Sequence, residues 1–170
     1  MNKTAAPVIQ FYSFEELLEK DGYIVYTNVG CSMLPLLRQR RDIIEIKKKG
    51  PERCRKYDAV LYKVGKKYIL HRIIEVRPRD YVIVGDHCFR KEYGITDDMI
   101  LGVMTRVIRN GKSIDVNTNR LYRCYVHLWC DFYPLRAAIL RGKAWVRSVL
   151  GAVKRRIKAL LRLSTDKGSS

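Results

Sequence analysis

Seven short runs rich in β-branched and aromatic residues follow one another between residues 23 and 116: YIVYTNV, IIEI, AVLYK, YILHRIIE, YVIV, ILGVMTRVI and SIDV. They stand too close together for helices to fit between them, and parallel strands need such a crossover. The runs therefore predict a mainly β protein built on a coiled, antiparallel sheet. Gly65 in VGKK and the Asn110-Gly111 pair stand where hairpin turns are needed. Upstream, Ser13 and Glu16 have capping-box spacing, which predicts a short helix through FEELLEK that stops near Gly22. The sequence thus divides into an N-terminal helical segment over 1–22 and a β domain over 23–118.

Length and composition narrow the class. The 170 residues suffice for one domain and its core, and an apolar fraction of 47% excludes bulk disorder. No run of eighteen apolar residues occurs, and MNKTAAPVIQFYSF lacks the basic start and apolar stretch of a secretory signal. Neither a conventional membrane span nor export is expected. Five cysteines, at 31, 54, 88, 124 and 130, form no Cys-x-x-Cys pair. That argues against a disulfide framework or zinc ribbon and suits a reducing, cytoplasmic setting. Cys124, His127 and Cys130 recur at a helical spacing of three but lack the pairing of a zinc site, so no metal or other cofactor is expected.

The formal charge of +17 calls for a negatively charged partner. Nine of the cations, and no acid, lie between Pro134 and Leu163. On a helical wheel Leu135, Ile139, Trp145, Val146, Val149, Val153, Ile157, Leu160 and Leu163 share one side. Arg136, Arg141, Lys143, Arg147, Lys154, Lys158 and Arg162 take the other, with Leu140 and Arg156 out of place. A wide apolar face opposite a purely cationic one predicts an amphipathic helix over 134–163 lying on an anionic membrane surface. The aromatic-rich connector over 119–133 carries Tyr122, Tyr125, Trp129, Phe132 and Tyr133, ring types that favour the lipid–water boundary. A continuous apolar face would be wasted on phosphates, so nucleic acid is disfavoured as a partner. Residues 164–170, STDKGSS, predict a disordered end. A second basic cluster, KKKGPERCRK over 47–56, reads as a solvated loop.

Within YTNVGCSMLPLLRQRRD, a small-residue turn presents a single hydroxyl, Ser32, between a strand and a proline-containing segment. A serine hydroxyl becomes a nucleophile only beside a base. The candidates are His71, His87, His127 and the lysines. His71 shares a strand face with Ile69 and Ile73, where a histidine taken alone is more often a satisfied core residue. Downstream, YVIVGDHCF places Asp86 just past a strand, where a carboxylate could fix an imidazole tautomer and stabilise its charged form. Asp42 and Asp58 read as turn-shaping residues.

Taken in order, Gly30-Cys31-Ser32-Met33-Leu34-Pro35, Arg41-Asp42, Tyr57-Asp58-Ala59-Val60-Leu61-Tyr62, Leu70-His71-Arg72, Gly85-Asp86 and Leu101-Gly102-Val103 resemble the type I signal peptidases and the wider LexA-like peptidase superfamily. The resemblance spans roughly residues 25 to 108. It implies a coiled β fold carrying a serine endopeptidase site with Ser32 as nucleophile. Most bacterial members place a lysine base where this chain has His71; histidine followed by arginine is similar to the endoplasmic-reticulum type, which implies a Ser–His enzyme. Lys63, Lys66 and Lys67 would then be turn residues in water. Asp86 matches the Gly-Asp box and is favoured as the acid, with Glu92 as the alternative, because this branch carries a second acid beyond the box. Many bacterial members use a hydroxyl two residues before the nucleophile in the oxyanion hole; Gly30 stands there and leaves main-chain donors. The resemblance implies a peptide or preprotein substrate cleaved at a leader or signal segment; the basic C-terminal segment, and not the resemblance, places a peripheral protein at the cytoplasmic membrane face. A catalytically inactive membrane- or nucleic-acid-binding protein on the same scaffold is the competing expectation.

Overall fold

The computed structural model describes residues 12–132, 136, 138–139, 141–142, 145–147 and 149–156. The chain divides into two units, Met1–Leu128 and Trp129–Ser170. The first opens with α1 (Phe14–Asp21) and continues through β1 (Tyr23–Thr27), β2 (Ile43–Lys48), β3 (Ala59–Val64), β4 (Lys67–Val76), β5 (Tyr81–Val84), β6 (Glu92–Ile95), β7 (Ile100–Arg109) and β8 (Lys112–Asp115). A single 3-10 turn, Asp97–Met99, precedes β7, and α2 (Arg120–Asp131) follows the sheet. All seven apolar runs become strands. The eighth strand, β6, has no counterpart among them.

The strands form one eight-stranded sheet in the order β1-β2-β7-β3-β4-β5-β6, with β8 beside the second half of β7. Every pairing is antiparallel. Register shifts at Glu45/Ile46, Leu61/Tyr62, Ile73/Glu75 and Tyr81/Ile83 interrupt the ladders. Such irregularities bend strands and increase local twist. The local signals hold. The Ser13 side chain accepts from the Glu16 N–H, and the Glu16 carboxylate accepts from the Ser13 N–H, while Gly22 closes α1 at φ 76°. Asn110 and Gly111 both adopt left-handed φ values (50° and 74°), as the tight turn between β7 and β8 requires.

Alternation along β3 divides the core between the two faces of the sheet. Ala59 and Leu61 join Ile44, Ile46, Leu70 and Met104 on one side. Val60 and Tyr62 join Ile73, Tyr81 and Ile83 on the other. Burying an aliphatic or aromatic side chain of this size stabilises the fold by about 1.5–3 kcal/mol. Central strands covered on both faces hold whatever they carry rigidly.

Four parts of the sequence reading change. The basic segment 47–56 is tied down: Lys49 and Arg53 each meet Asp97 at 3.1 Å, and Arg53 Nη1 donates to the Arg77 carbonyl at 2.6 Å. Lys63 is paired with Glu15 instead of standing alone in water. Of the segment 119–133, read as a connector, Arg120–Asp131 form helix α2, and Tyr133 lies outside the described residues. In the second unit, the described residues from 136 to 156 are helical, and Ile139, Trp145, Val146, Val149, Leu150 and Val153 are exposed. Arg136, expected on the cationic face, is buried with its guanidinium 6.0 Å from the Trp129 ring centre. Among the described residues, no helix is long and apolar enough to cross a membrane. Leu135, Leu140, Lys143, Ile157, Lys158, Leu160, Arg162, Leu163, residues 1–11 and the 164–170 end lie outside the described residues.

Candidate active site

Ser32 lies on the loop between β1 and β2. Met33 and Leu37 plug that loop into the core, both essentially inaccessible, while Ser32 itself is half-buried. At the base, the Asn28 N–H donates to the Asp42 carbonyl (3.0 Å) and the Arg40 N–H to the Asn28 carbonyl (2.7 Å). The Asn28 side chain donates to the Gly30 carbonyl (2.9 Å). Asp42 anchors the loop: its carboxylate accepts from the Arg38 N–H (2.9 Å), Arg41 Nε (2.9 Å), and Arg109 Nε and Nη2 (3.1 and 2.6 Å). Burial alone would raise the Asp42 pKa, but the hydrogen bonds from Arg109, the Arg38 backbone and Arg41 hold it at about 2. Arg109 also donates to the Leu36 carbonyl, so the far end of β7 fixes the serine loop. Asp42 thus organises the turn, as its sequence position suggests.

His71 stands on β4 opposite Val60 and is buried. Its Nδ1 lies 2.8 Å from Glu92 Oε1 and 3.2 Å from the Tyr62 hydroxyl, which donates to Glu92 Oε2 at 2.7 Å. Burial drives the His71 pKa below its ordinary value, against the opposing charges of Glu92 and Asp86. The imidazole is therefore neutral at pH 7, and the contact with Glu92 is a hydrogen bond from a neutral ring. A carboxylate accepts only, so Nδ1 carries the proton and Nε2 is the free base.

Nε2 points at Gly85. A Cβ placed there would lie 2.8 Å from His71 Nε2, 2.8 Å from the Ser32 carbonyl oxygen and 2.9 Å from Cys88 Sγ. The base and the serine's own backbone are therefore no more than twice that distance apart, across a residue with no side chain. The His87 N–H donates to the Ser32 carbonyl at 2.7 Å, which ties the two segments together. Ser32 Oγ itself lies 3.9 Å from where a Gly30 side chain would begin.

Asp86 is engaged elsewhere. Arg72 grips it with two parallel hydrogen bonds, Nε to Oδ1 (2.9 Å) and Nη2 to Oδ2 (2.8 Å), and both side chains are fully buried. The Tyr125 hydroxyl of α2 donates to the same carboxylate at 3.2 Å, while Arg72 Nη1 reaches the Tyr57 carbonyl and the Tyr122 hydroxyl. The physical reason is strand alternation: neighbouring residues His71 and Arg72 face opposite sides of β4. Each side has its own acid, Glu92 for the imidazole and Asp86 for the guanidinium. The hydrogen-bonded acid of His71 is thus Glu92, the alternative in the sequence reading, and Asp86 reaches the ring only through its field.

Sequence reasoning gave no role to Tyr62 and did not place Cys88 beside the base. Tyr62 lies in a quoted box, and its period-two relation to Val60 was the available signal. Of the remaining candidates, Asp58 caps a turn by accepting from the Arg55 N–H (2.7 Å), and His127 packs edge-on against Tyr57 with ring centres 4.5 Å apart. Among the described residues, no group of three His, Cys, Asp or Glu could hold a metal ion. An imidazole with one nitrogen on a carboxylate and the other free is equipped to take a proton and bear the resulting charge. Compared with known proteins, the chain matches no family model, no curated protein and no solved structure.

Proposed function

We propose that this chain is a serine endopeptidase resembling the signal peptidases and LexA-like peptidases, with Ser32 as nucleophile, His71 as general base and Glu92 as the orienting acid. The observation that carries the reading is the His71 ring held at Nδ1 by Glu92, 2.8 Å away, with Nε2 turned toward the serine segment over Gly85. Ser32 Oγ attacks the scissile carbonyl as its proton passes to Nε2. The imidazolium that forms is stabilised by Glu92, whose second oxygen is fixed by Tyr62. The tetrahedral oxyanion is met by main-chain donors that include the Ser32 N–H. Proton return from Nε2 releases the amine, and a water activated by the same nitrogen hydrolyses the acyl-enzyme. The substrate is a peptide or preprotein bearing a leader or signal segment.

The second unit is the natural means of placing that chemistry. Its exposed apolar side chains, with Arg141, Arg147 and Lys154 also exposed, suit a basic amphipathic helix lying on an anionic bilayer at the cytoplasmic face. Substrate segments near such a surface would then be presented to the protease. The charge excess of this region also favours the competing reading, a catalytically inactive membrane-binding protein on the same scaffold.

One experiment separates the two. Ser32→Ala and His71→Ala should each abolish cleavage of an extended-peptide library followed by mass spectrometry, while sedimentation with phosphatidylglycerol vesicles is retained. Cleavage by both variants at the wild-type rate rules out the dyad. Loss of sedimentation in an Arg141→Glu/Arg147→Glu/Lys154→Glu variant supports the membrane role, and unchanged sedimentation dismisses it.

A further inference from the structure

A cleft of about 670 Å³ opens beside the catalytic acid, with Glu92 and Cys88 in its wall and Val64, Tyr93, Ile95 and Met99 as its apolar lining. Cys88 Sγ is one of the three groups that converge on Gly85, and Glu92 holds His71, so the cleft reaches the base through these two lining residues. Two of its apolar residues are open, Val64 at 43% and Tyr93 at 58% exposed, above a floor formed by buried Ile95, with Phe89 nearby in sequence at 44%. A group of open apolar side chains next to a polar site marks a place where something apolar docks.

We infer that this cleft is a substrate subsite for a bulky apolar side chain, such as leucine or phenylalanine. The inference rests on the peptidase reading above and names the substrate class for that site. The apolar walls set the class, and the size leaves room for it. A volume of this order falls in the range that accepts a drug-sized group, well beyond what a methyl side chain would fill. Arg90 and Lys91 line the same cleft and outnumber its one carboxylate, Glu92, which is engaged by His71 and Tyr62, so the cleft disfavours a lysine or arginine side chain. The subsite therefore selects bulky apolar residues over both small and basic ones. It does so on the side of the ring where Glu92 sits, so an occupant also shields the His71–Glu92 hydrogen bond from water. Val64, at the end of β3 next to the Gly65 turn, forms one wall without touching the catalytic groups in any hydrogen bond.

The test uses the full-length protein and a positional library of extended peptides in which each position carries Ala, Leu, Phe or Lys. The wild type should prefer Leu or Phe over Ala at one position by about 10-fold or more in kcat/KM, with Lys disfavoured further. Val64→Trp, which fills the cleft, should compress that preference to about 3-fold or less, and Tyr93→Ala, which removes a wall, should weaken it independently. Thermal melts of both variants check that the fold is intact. Ser32-dependent cleavage with an alanine preference, or with a bulky preference that neither variant alters, overturns the subsite and leaves the peptidase standing. Absence of any Ser32-dependent cleavage overturns the peptidase and the subsite together.

Discussion

Replacing Gly85 by alanine adds one methyl group at the point where the base, the serine backbone and the Cys88 thiol converge. The backbone at 85 lies outside the left-handed region, so alanine costs nothing in φ; the whole effect is space. Ordinary contacts of a Cβ lie at 3.4–4 Å, whereas this one would stand 2.8 Å from both His71 Nε2 and the Ser32 carbonyl oxygen. Neither neighbour yields easily. The ring is held at Nδ1 by Glu92 and Tyr62, and the Ser32 carbonyl is held by the His87 N–H at 2.7 Å. Overpacking a held site costs about 1–3 kcal/mol, which for a chain of this length lowers Tm by about 2–12 °C. Relief by moving the ring or the serine displaces the pair toward the 1 Å scale, which costs about 100-fold in rate. Calorimetry and library cleavage measure the two effects separately. Gly30→Ala is the control: its new Cβ meets only Ser32 Oγ, at 3.9 Å, and Tm should stay within about 1 °C of wild type. A Gly85→Ala protein with wild-type Tm and wild-type cleavage refutes the placement of the site over Gly85.

Further outcomes divide the two acids and test the loop anchor. Glu92→Gln should lower kcat by about 10- to 100-fold with little change in Tm, because it weakens a charge-assisted bond made to the imidazolium. Asp86→Asn should instead lower stability by about 3–5 kcal/mol, since it leaves Arg72 charged and buried without its anion; equal losses of Tm in both variants would contradict this division. Because burial sets the His71 pKa below the ordinary histidine value and Glu92 opposes that shift, the acid limb of kcat/KM should lie below the usual histidine range. It should move to still lower pH in Glu92→Gln, and a move to higher pH would defeat the assignment. The Asp42 carboxyl falls from 3.8 to about 2 on folding, so it contributes about 2 kcal/mol above pH 4 that fades as pH drops through about 2. Asp42→Asn should lose that stability at pH 7 and converge with wild type in acid; a constant gap across pH would refute the linkage.

The sheet was legible because period-two runs are local information. All seven runs became strands, and the Ser13–Glu16 cap and the Asn110–Gly111 turn formed where the residues call for them. β6 was not legible. EYGI is short, shows no clean alternation and contains Gly94 at φ 72°, and what makes it a strand is its pairing with β5. Missing β6 hid the element that brings Glu92 to the imidazole, and Asp86, next to a glycine after a strong strand, looked the better acid. Alternation does place His71 and Arg72 on opposite faces. Which carboxylate serves which face depends on contacts between residues far apart in sequence, and those the period cannot supply. The basic 47–56 segment misleads for a similar reason: its partner Asp97 lies beyond four intervening strands.

The back-to-back arrangement of His71 and Arg72 bears on how β4 finds its place. A slide of one residue against its neighbours would turn the imidazole to the side of Asp86 and the guanidinium to the side of Glu92. Asp86 would then be a sealed carboxylate facing an uncharged ring, a mispairing that costs several kcal/mol. The two acids thus act as a lock against misthreading, and the chemistry and the alignment of the strand are enforced by the same four side chains.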